Sequence, residues 1–381
     1  MSVKNLKFFL KNYLNENDQK IAISDSENIY DIKQFKKKVL SYKKILTKKW
    51  NKKKSTKGLA ILLERNVDYL ALIFACWLSN GFYVPLSKDT ILSNRKYQLK
   101  VSNADILAYS KNGEIAFKYL KIKKINKIIK KNRGKIAYII FTSGSTGQKK
   151  GVVISNKNLL SYIGGINKIF KNKFNHKSVL INGELTFDIS VADLVFGILF
   201  KTEIGITSNS RNLISLFSMI EKRKIESIYV VPSTLKKIIQ FANKYKDFKI
   251  NSLKQINCGG EILEQKNVRE IQKLIKNVDI YNFYGPTEFT INSFFHKIKK
   301  KFNYNKNIPI GKPIPGIKFI LEKKTGLDEQ ELFLSGAQLM LGYINSKSPN
   351  IKVNNKIFYP TGDIVSIDKK KDVYFEGRSK N

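Results

Sequence analysis

YIIFTSGSTGQKKGVVI, at residues 138–154, is the stretch that decides the fold of this 381-residue chain. The apolar run Ile139–Phe141 is typical of a buried parallel strand, and Val152–Ile154 predicts a second strand. The turn between them, Thr142–Gly147, combines glycines with hydroxyl side chains. Glycines let backbone N–H groups approach an anion, and the hydroxyls and the ammonium group of Lys150 donate further hydrogen bonds. The turn therefore predicts a phosphate-binding loop.

This loop differs from a Walker loop. A Walker loop has Lys-Ser or Lys-Thr directly after its second glycine, and a helix follows. Here Gln148 and Lys149 intervene and a strand-like segment follows. A Ser/Gly-rich surface linker is the alternative. Apolar strands on both sides favour the phosphate loop over the linker.

The composition is that of a globular protein with a large core. Hydrophobic residues make up 42% of the chain. Its two cysteines, Cys76 and Cys258, form neither a disulfide framework nor a CxxC metal motif, so we expect a cytoplasmic protein. The most apolar helical pattern, Tyr69–Leu78, is too short to span a bilayer and predicts a buried helix. We therefore expect no membrane insertion.

The formal net charge of +40 raises the possibility of a nucleic-acid partner. However, the lysines are spread along the whole chain, and no zinc-finger, RRM or KH motif accompanies them. We therefore expect a solvated lysine-rich surface and no specific nucleic-acid site. Weak, nonspecific binding of polyanions at low salt would follow from the charge alone.

Periodic patterns predict α/β structure around the loop. Val3–Leu46 has the pattern helix, hairpin, helix, with Asp31 as the N-cap of the second helix. Gly58–Leu86 predicts a strand–helix–strand unit. Ser102–Leu107 is expected to begin a further strand–helix step, and Pro232–Ser233 is expected to form a turn.

Three further motifs follow the loop: FDIS at residues 187–190, NFYGPTE at 282–288 and YPTGD at 359–363. Together with the loop, and in this order, they resemble the adenylate-forming superfamily. That superfamily contains acyl-CoA synthetases, luciferases, D-alanine–carrier-protein ligases and the adenylation domains of nonribosomal peptide synthetases. The resemblance is strongest to the adenylation domains and D-alanine ligases and covers nearly the whole chain. Lys149, Gln330 and Leu341 depart from the usual proline, glycine and arginine.

The resemblance implies an α/β fold with two interleaved α/β subdomains, largely parallel sheets and a small β-barrel. It assigns residues 1–300 to the interleaved subdomains, with the ATP and acyl-substrate sites, residues 301–375 to the barrel and residues 376–381 to a hinge. The C-terminal lid domain of the family, which carries a catalytic lysine, is absent from this sequence. We therefore expect these 381 residues to be impaired catalytically and to bind an adenylate better than they form it.

The reaction implied by the resemblance is ATP-dependent activation of a carboxylate. The carboxylate attacks the α-phosphorus of ATP, pyrophosphate leaves, and the acyl group passes to the phosphopantetheine thiol of a carrier protein. ATP and Mg²⁺ are the implied cofactors, with Lys150, Thr287 and Glu288 as catalytic residues and Glu288 as the metal ligand. The expected nucleotide-binding residues are Thr142, Ser143, Gly144, Ser145, Thr146, Gly147, Lys150, Gly260, Glu261, Asn282, Tyr284, Gly285, Thr287, Asp363 and Arg378.

Asp188 of the FDIS motif bears on the substrate class. By its position alone, its side chain could cap the helix that follows. In amino-acid-activating members of the family, the Asp of this motif pairs with the substrate ammonium group, and a buried carboxylate needs such a partner. We therefore expect an amino acid substrate. The alternatives are activation of a non-amino acid, as in acyl-CoA synthetases, and a lidless, non-catalytic nucleotide-binding module.

The resemblance also predicts a pocket for the substrate side chain. Tyr229 and Phe283 are expected to make this pocket narrow, and its two asparagines are expected to favour a polar side chain. The predicted lining is Ile189, Ala192, Tyr229, Asn257, Gly259, Phe283, Ile291 and Asn292.

Overall fold

Strands and helices alternate along the computed structural model, which describes residues 5–17, 19–51, 55–142, 148–304, 307–323 and 329–379. The elements up to the end of the predicted phosphate loop are α1 (Leu6–Leu14), β1 (Ile21–Ser24), β2 (Ile29–Asp31), α2 (Ile32–Lys49), β3 (Gly58–Leu62), α3 (Val67–Leu78), β4 (Phe82–Pro85), α4 (Leu92–Ser102), β5 (Ile106–Lys111), β6 (Glu114–Tyr119), α5 (Lys127–Lys131), β7 (Ile136–Thr142) and β8 (Lys150–Ser155).

The second part of the chain continues the alternation and then changes to strands. Its elements are α6 (Asn156–Phe170), β9 (Ser178–Ile181), α7 (Ile189–Phe200), β10 (Glu203–Ile206), α8 (Leu213–Arg223), β11 (Ser227–Val230), α9 (Pro232–Lys244), β12 (Gln255–Gly259), α10 (Gln265–Leu274), β13 (Asp279–Tyr284), the 3₁₀ helix Thr287–Phe289, β14 (Phe294–Ile298), β15 (Lys312–Pro313), β16 (Ile317–Lys323), β17 (Gln330–Gly336), β18 (Gly342–Tyr343), β19 (Ile351–Val353), β20 (Lys356–Ile367) and β21 (Val373–Arg378).

Within the described ranges, the largest sheet has nine strands in the order β15-β14-β13-β12-β11-β9-β10-β1-β2. The strands from β13 to β1 run parallel to their neighbours, whereas β14, β15 and β2 pair antiparallel at the two edges. Parallel strands need crossover connections, and α7, α8, α9 and α10 supply them.

The second sheet, counted over the same ranges, has seven strands in the order β18-β8-β7-β4-β3-β5-β6. Its middle strands β7, β4, β3 and β5 are parallel, and the outer pairs are antiparallel. The chain enters the first sheet with β1 and β2, builds the second with β3 to β8, and then returns to the first. This confirms the prediction of two interleaved, largely parallel α/β units.

The last sheet is antiparallel, with β16, β17, β20 and β19 in order and β21 paired to β20. This sheet lies in the C-terminal segment to which the resemblance assigns a small β-barrel. Two strands of that segment lie elsewhere, because β15 extends the first sheet and β18 extends the second. The segment is therefore tied to both large sheets, and the boundaries at residues 300 and 375 stay a prediction.

Helix ends follow the local sequence. The Asp31 carboxylate accepts from the Gln34 N–H at 2.7 Å, and the Gln34 side chain accepts from the Asp31 N–H at 3.1 Å, which confirms the N-cap of α2. Beyond α3, Asn80 has φ 57°, the left-handed conformation that commonly terminates a helix. Both ends depend on residues only a few positions apart.

The core runs between the two large sheets. Helices α3 and α7 are buried along nearly their whole length, and one continuous apolar cluster joins them to strands of both sheets. Burial on all faces explains why α3 is apolar throughout. In the part of the chain that the structure describes, no helix is both long enough and apolar enough to cross a membrane.

Two local expectations were wrong. β5 is followed by the antiparallel strand β6 and not by a helix, because Asn112 and Gly113 adopt positive φ angles of 51° and 79° and form a tight hairpin turn. Pro232 does not form a turn but begins α9, since proline at the first helical position has no N–H to leave unpaired.

Candidate active site

The predicted site residues lie at one edge of the nine-stranded sheet. Tyr229 lies near the carboxyl end of β11, Gly259 ends β12 and Tyr284 ends β13, while Asp188 lies in the connection that follows β9. These four strands are neighbours and parallel. Ligands of open α/β sheets bind at the carboxyl ends of the strands. The topology thus brings together motifs that are about 100 residues apart in sequence.

A cleft of about 400 Å³ opens at this edge. Its walls come from the residues at and after the ends of β12 and β13, from the segment 307–310, from Asp363 on β20 and from β21. The predicted nucleotide-binding residues that line it are Gly260, Glu261, Asn282, Tyr284, Gly285, Asp363 and Arg378.

Asp363 is the centre of a hydrogen-bonded group in this cleft. The Tyr284 hydroxyl donates to Asp363 Oδ2 at 2.5 Å, and Arg378 Nη1 donates to Oδ1 at 2.7 Å. Arg378 Nη1 also lies 3.1 Å from the Thr361 carbonyl oxygen. Burial, and then the charge of Asp363, raise the pKa of Tyr284 well above its ordinary value, so the phenol stays a donor. A carboxylate fixed by a donor on each oxygen is a preorganised acceptor for hydroxyl groups of a ligand.

The other residues of the cleft have partners within the protein. Asn282 is 3% exposed, and its Nδ2 donates to the Pro309 carbonyl at 2.9 Å. Glu261 accepts from the backbone N–H of Ser233 at 2.8 Å and from its hydroxyl at 3.0 Å. Gly260 has φ +87°, a conformation that favours glycine and keeps the wall flat.

The described ends of the predicted phosphate loop are joined to Glu288 through Tyr343. Tyr343 lies on β18, which pairs with β8, the strand that Lys150 begins. Its hydroxyl donates to Glu288 Oε1 at 2.7 Å, and Lys150 Nζ lies 5.4 Å from its ring centroid. The ammonium group and the carboxylate therefore face one aromatic side chain. Ser143, Gly144, Ser145, Thr146 and Gly147 lie outside the described residues.

Asn345 holds the strand that leaves the loop. Its Oδ1 accepts from the Gly151 N–H at 3.0 Å, and its Nδ2 donates to the Lys149 carbonyl and to the Tyr97 hydroxyl, both at 2.8 Å. Thr142, at the other end of the loop, donates to the Lys150 carbonyl at 3.5 Å. One amide side chain thus orients the backbone next to the predicted lysine.

The structure is compatible with a metal ion that is held mainly by a phosphate ligand. No cluster of three or more His, Cys, Asp or Glu side chains suited to a metal occurs among the described residues. Mg²⁺ in nucleotide sites commonly takes one or two protein carboxylates, with phosphate oxygens and waters completing its octahedron. Glu288, which accepts from the Tyr343 hydroxyl on the same side chain that Lys150 Nζ faces, is suited to such a single contribution.

Asp188 is a buried carboxyl group with an unpaired oxygen. It is 7% exposed, and among the described residues its Oδ2 has no hydrogen-bond partner. Burial raises its pKa to about 7 and the charge of Glu288 adds to this, whereas Thr287 and the Ile291 N–H favour the ionised form. Although Asp188 directly precedes α7, its side chain makes no capping hydrogen bond. The capping interpretation is therefore wrong.

The polar residues of the predicted side-chain pocket form hydrogen bonds within the protein. The Tyr229 hydroxyl donates to Asn292 Oδ1 at 2.9 Å, and Asn257 Oδ1 accepts from Gln255 Nε2 at 2.8 Å. Both asparagine side chains thus have partners in the protein, which removes the main reason to expect a polar substrate side chain. Phe283 lies beside Tyr229, with the ring centroids 5.7 Å apart. The remaining predicted lining residues, Ala192, Gly259 and Ile291, are buried, and Ile189 is half-buried.

Sequence reasoning missed several residues of this region. No role was predicted from the sequence for Tyr343, which donates to Glu288, or for Phe375, which lines the cleft. Tyr343 lies two residues after Leu341, in a segment that resembles the family. Asn345 and Tyr162 were also missed, because only long-range contacts bring them to the site. The motif around Tyr343 was the one available signal.

Comparison with known proteins identifies the family. The family model described as AMP-binding enzyme matches residues 10–344. A plipastatin synthase polypeptide of Bacillus subtilis (strain 168) is 26% identical over 305 residues, a match that covers 75% of this chain and 12% of that protein. Bacitracin synthase 3 of Bacillus licheniformis is 24% identical over 343 residues, covering 84% of this chain and 5% of that protein. This chain therefore spans only a small part of the length of these relatives.

Solved structures share the fold. The N-terminal subdomain of Klebsiella oxytoca NpsA, in complex with 3-hydroxybenzoyl-AMSN, matches with a TM-score of 0.79 at 16% identity, over 99% of this chain and 100% of that one. The AMPPNP-bound form of the nonribosomal peptide synthetase FmoA3 matches with a TM-score of 0.83 at 16% identity, over 98% and 42%. The chain belongs to the AMP-binding enzyme family, within the adenylate-forming superfamily, and is similar to the N-terminal core of nonribosomal peptide synthetase adenylation domains.

Proposed function

We propose that this chain activates the carboxylate of an amino acid with ATP, forming an aminoacyl adenylate and pyrophosphate. The aminoacyl group then passes to the phosphopantetheine thiol of a carrier protein. Family membership supports the activation of a carboxylate. The likeness to plipastatin and bacitracin synthases and to a nonribosomal peptide synthetase supports the carrier-protein step, since the resemblance to adenylation domains implies transfer to a carrier protein.

Asp188 is the observation that carries the amino acid assignment. A buried carboxyl group with one unpaired oxygen is costly unless a ligand completes it. A substrate ammonium group supplies both a positive charge and hydrogen-bond donors, and it would lower the pKa of Asp188 from about 7. A substrate without an amine would leave this oxygen without a partner, which disfavours the acyl-CoA-synthetase alternative.

The geometry suits a reaction that needs no protein nucleophile. The substrate carboxylate oxygen forms a bond to the α-phosphorus as the bond to the pyrophosphate oxygen breaks. Catalysis of this kind rests on positioning and on neutralising phosphate charge. We assign Lys150 and the hydroxyl of Thr287 to the phosphates, and the Asp363–Arg378 pair to the ribose. When bound, Mg²⁺ would neutralise phosphate charge, with Glu288 as its protein ligand.

Tyr284, Asn282 and Gly260 are assigned to the adenine because they line one cleft with Asp363. The Tyr284 ring offers an aromatic face for stacking. Asn282 donates one N–H to Pro309, which leaves its Oδ1 and a second N–H for the base edge. Mg²⁺, ATP and the loop residues Thr142–Gly147 complete the proposed site.

The test combines calorimetry and pyrophosphate exchange on the 381-residue chain. We expect Asp188→Asn to weaken binding of an aminoacyl-sulfamoyl adenosine at least about 30-fold, because the ammonium group loses its counter-charge. ATP affinity should not change. Asp193→Asn is the matched control, since Asp193, on α7, is also a buried carboxyl group whose Oδ2 has no hydrogen-bond partner among the described residues.

Two outcomes would contradict the proposal. If carboxylic acids without an amine drive exchange and amino acids do not, the Asp188 assignment is wrong and the acyl-CoA-synthetase alternative gains support. If ATP binds but no aminoacyl-sulfamoyl adenosine binds, the chain is a nucleotide-binding module without the proposed activity.

A further inference from the structure

The predicted side-chain pocket has almost no free space. A cavity large enough for a leucine or phenylalanine side chain would leave water-accessible surface on its walls. The lining side chains have almost none. Their exposed fractions are Ala192 0%, Tyr229 1%, Asn257 1%, Phe283 2%, Ile291 2% and Asn292 3%.

Tyr229 is the side chain that fills this space. Its hydroxyl lies over Gly259, only 2.4 Å from where a Cβ on that residue would be. Gly259 is therefore required to admit the phenol. The Phe283 ring packs beside Tyr229 with the ring centroids 5.7 Å apart, and the Phe283 carbonyl oxygen lies 2.7 Å from the same Cβ position. The pocket is filled by the protein itself.

Hydrogen bonds hold Tyr229 in place. Its hydroxyl donates to Asn292 Oδ1 at 2.9 Å, and Asn292 Nδ2 donates to the Tyr162 hydroxyl at 3.1 Å. Tyr162 is fully buried on α6, in a different part of the fold from β11. Moving Tyr229 to admit a large side chain would break this buried chain of hydrogen bonds and leave polar groups unpaired.

Unused hydrogen-bonding capacity is found at Asp188. Its Oδ2 is buried and has no hydrogen-bond partner among the described residues, and the neighbouring Ile189 is half-buried. An amino group can therefore be bound where a long side chain cannot. The predicted lining beyond Asp188 carries no lysine, arginine, aspartate or glutamate, so a charged substrate side chain would also be unpaired.

We infer that the substrate is an amino acid whose side chain has at most one or two heavy atoms, such as glycine, alanine or serine, and that Tyr229 sets this size limit. The inference rests on the proposed function and deepens it. The asparagines do not select a polar side chain; Asn292 instead positions the tyrosine.

The first experiment uses the wild-type chain. Calorimetry would compare glycyl-, alanyl-, seryl-, leucyl- and phenylalanyl-sulfamoyl adenosine. We expect the three small analogues to bind at least about 100-fold more tightly than the two large ones, because overpacking a filled site is strongly unfavourable. Equal or tighter binding of the leucyl or phenylalanyl analogue would overturn the size limit.

The second experiment opens the pocket. Tyr229→Ala should improve the affinity for the leucyl analogue at least about tenfold relative to wild type. Tyr245→Ala, which removes a tyrosine that is 43% exposed on the surface, is the matched control and should leave the preference unchanged. Thermal unfolding would verify that each variant is folded. If Tyr229→Ala does not fold, Tyr229→Leu removes less volume and carries the same expectation.

The experiments distinguish a failure of the proposed function from a failure of the size limit set by Tyr229. If ATP binds and none of the five aminoacyl analogues binds, the proposed function fails and the size limit falls with it. If large analogues bind as well as small ones, the amino acid assignment stands and the role of Tyr229 is wrong. If Tyr229→Ala is folded and still excludes the leucyl analogue, another residue sets the limit.

Discussion

Asp188 shows how much of this site depends on the surroundings of one carboxyl group. In the sequence it is a polar residue before an apolar helix, where capping is the ordinary role. In the structure it forms no cap and has one buried oxygen without a hydrogen-bond partner among the described residues. Such a group costs stability in the absence of ligand, because desolvation opposes its charge. A residue that destabilises the free protein is expected where binding energy is to be gained from a ligand.

The raised pKa of Asp188 predicts that the free energy of unfolding depends on pH. Burial raises the pKa of Asp188 from 3.8 to about 7, so between these values the folded state binds more protons than the unfolded state. The free energy of unfolding therefore falls as pH rises from about 4 to 7. Asp188→Asn removes the titration. It should be more stable than wild type at pH 8, by at most about 4 kcal/mol, and nearly equal at pH 4.

Urea unfolding of wild type and Asp188→Asn at pH 4, 6 and 8 would measure this difference. The comparison cancels the titration of all other groups. A difference that stays constant with pH would show that folding does not raise the pKa of Asp188, and the proposed destabilisation would be absent.

At the scale of elements, one side chain joins the two large sheets at the site. Arg65 follows β3, and its Nε donates to the Thr207 carbonyl at 2.9 Å. Its Nη1 donates to the Gly183 carbonyl at 2.8 Å and its Nη2 to the Ile181 carbonyl at 2.9 Å. These acceptors lie at the ends of β9 and β10 and at the start of the connection that leads to Asp188. Arg65 is thus a positioning residue for that connection.

Replacement of Arg65 should weaken the contact between the segment after β3 and the ends of β9 and β10. Arg65→Met removes a hydrogen bond from three backbone carbonyl groups, of which only that of Ile181 keeps another donor among the described residues, the Thr207 N–H. This should lower the free energy of unfolding by about 2–4 kcal/mol. Binding of an aminoacyl-sulfamoyl adenosine should weaken more than binding of ATP, because the connection carries Asp188 and not the nucleotide cleft. Urea unfolding and calorimetry would measure the two effects.

The control is Arg211→Met. The Arg211 side chain is 72% exposed and pairs with Glu184 at the surface. Its loss should change stability by less than about 0.5 kcal/mol. Equal effects of the two substitutions, or equal weakening of both ligands by Arg65→Met, would argue against a positioning role.

At the scale of the whole molecule, the charge distribution bears on partners. The chain has 70 basic and 30 acidic side chains, and the lysines occur along its full length. Electrostatic attraction between these basic side chains and a polyanion is independent of the polyanion's sequence and is screened by salt. Such binding does not require a specific nucleic-acid site.

Heparin, duplex DNA and RNA of similar charge should therefore bind with similar affinity at about 20 mM salt, and this binding should be largely lost near 200 mM. Fluorescence anisotropy at several salt concentrations would measure it. Affinity for an aminoacyl-sulfamoyl adenosine serves as the control and should change far less over the same range. Retention of one nucleic acid at high salt would indicate a specific site.

Local signals predicted much of the architecture. The N-cap at Asp31 and the strands β7 and β8 on either side of the predicted loop depend on interactions and patterns within a few residues, so a single sequence reports them. Predictions were wrong where the same residue suits two local structures. Pro232 was predicted to form a turn, but proline is equally suited to the first turn of a helix, and Pro232 begins α9. There the packing of α9 against its sheet decided between them.

The sequence by itself determined the order of the motifs, the strand ends that carry them and the family, because these depend on residue types and short spacings. Only the tertiary structure decided that Asp188 has an unpaired oxygen, that Tyr343 links Lys150 to Glu288, and that Tyr229 fills the side-chain pocket. The physical reason is that burial and hydrogen-bond partners arise from contacts between distant segments, such as Tyr229 with Asn292, which no local pattern encodes.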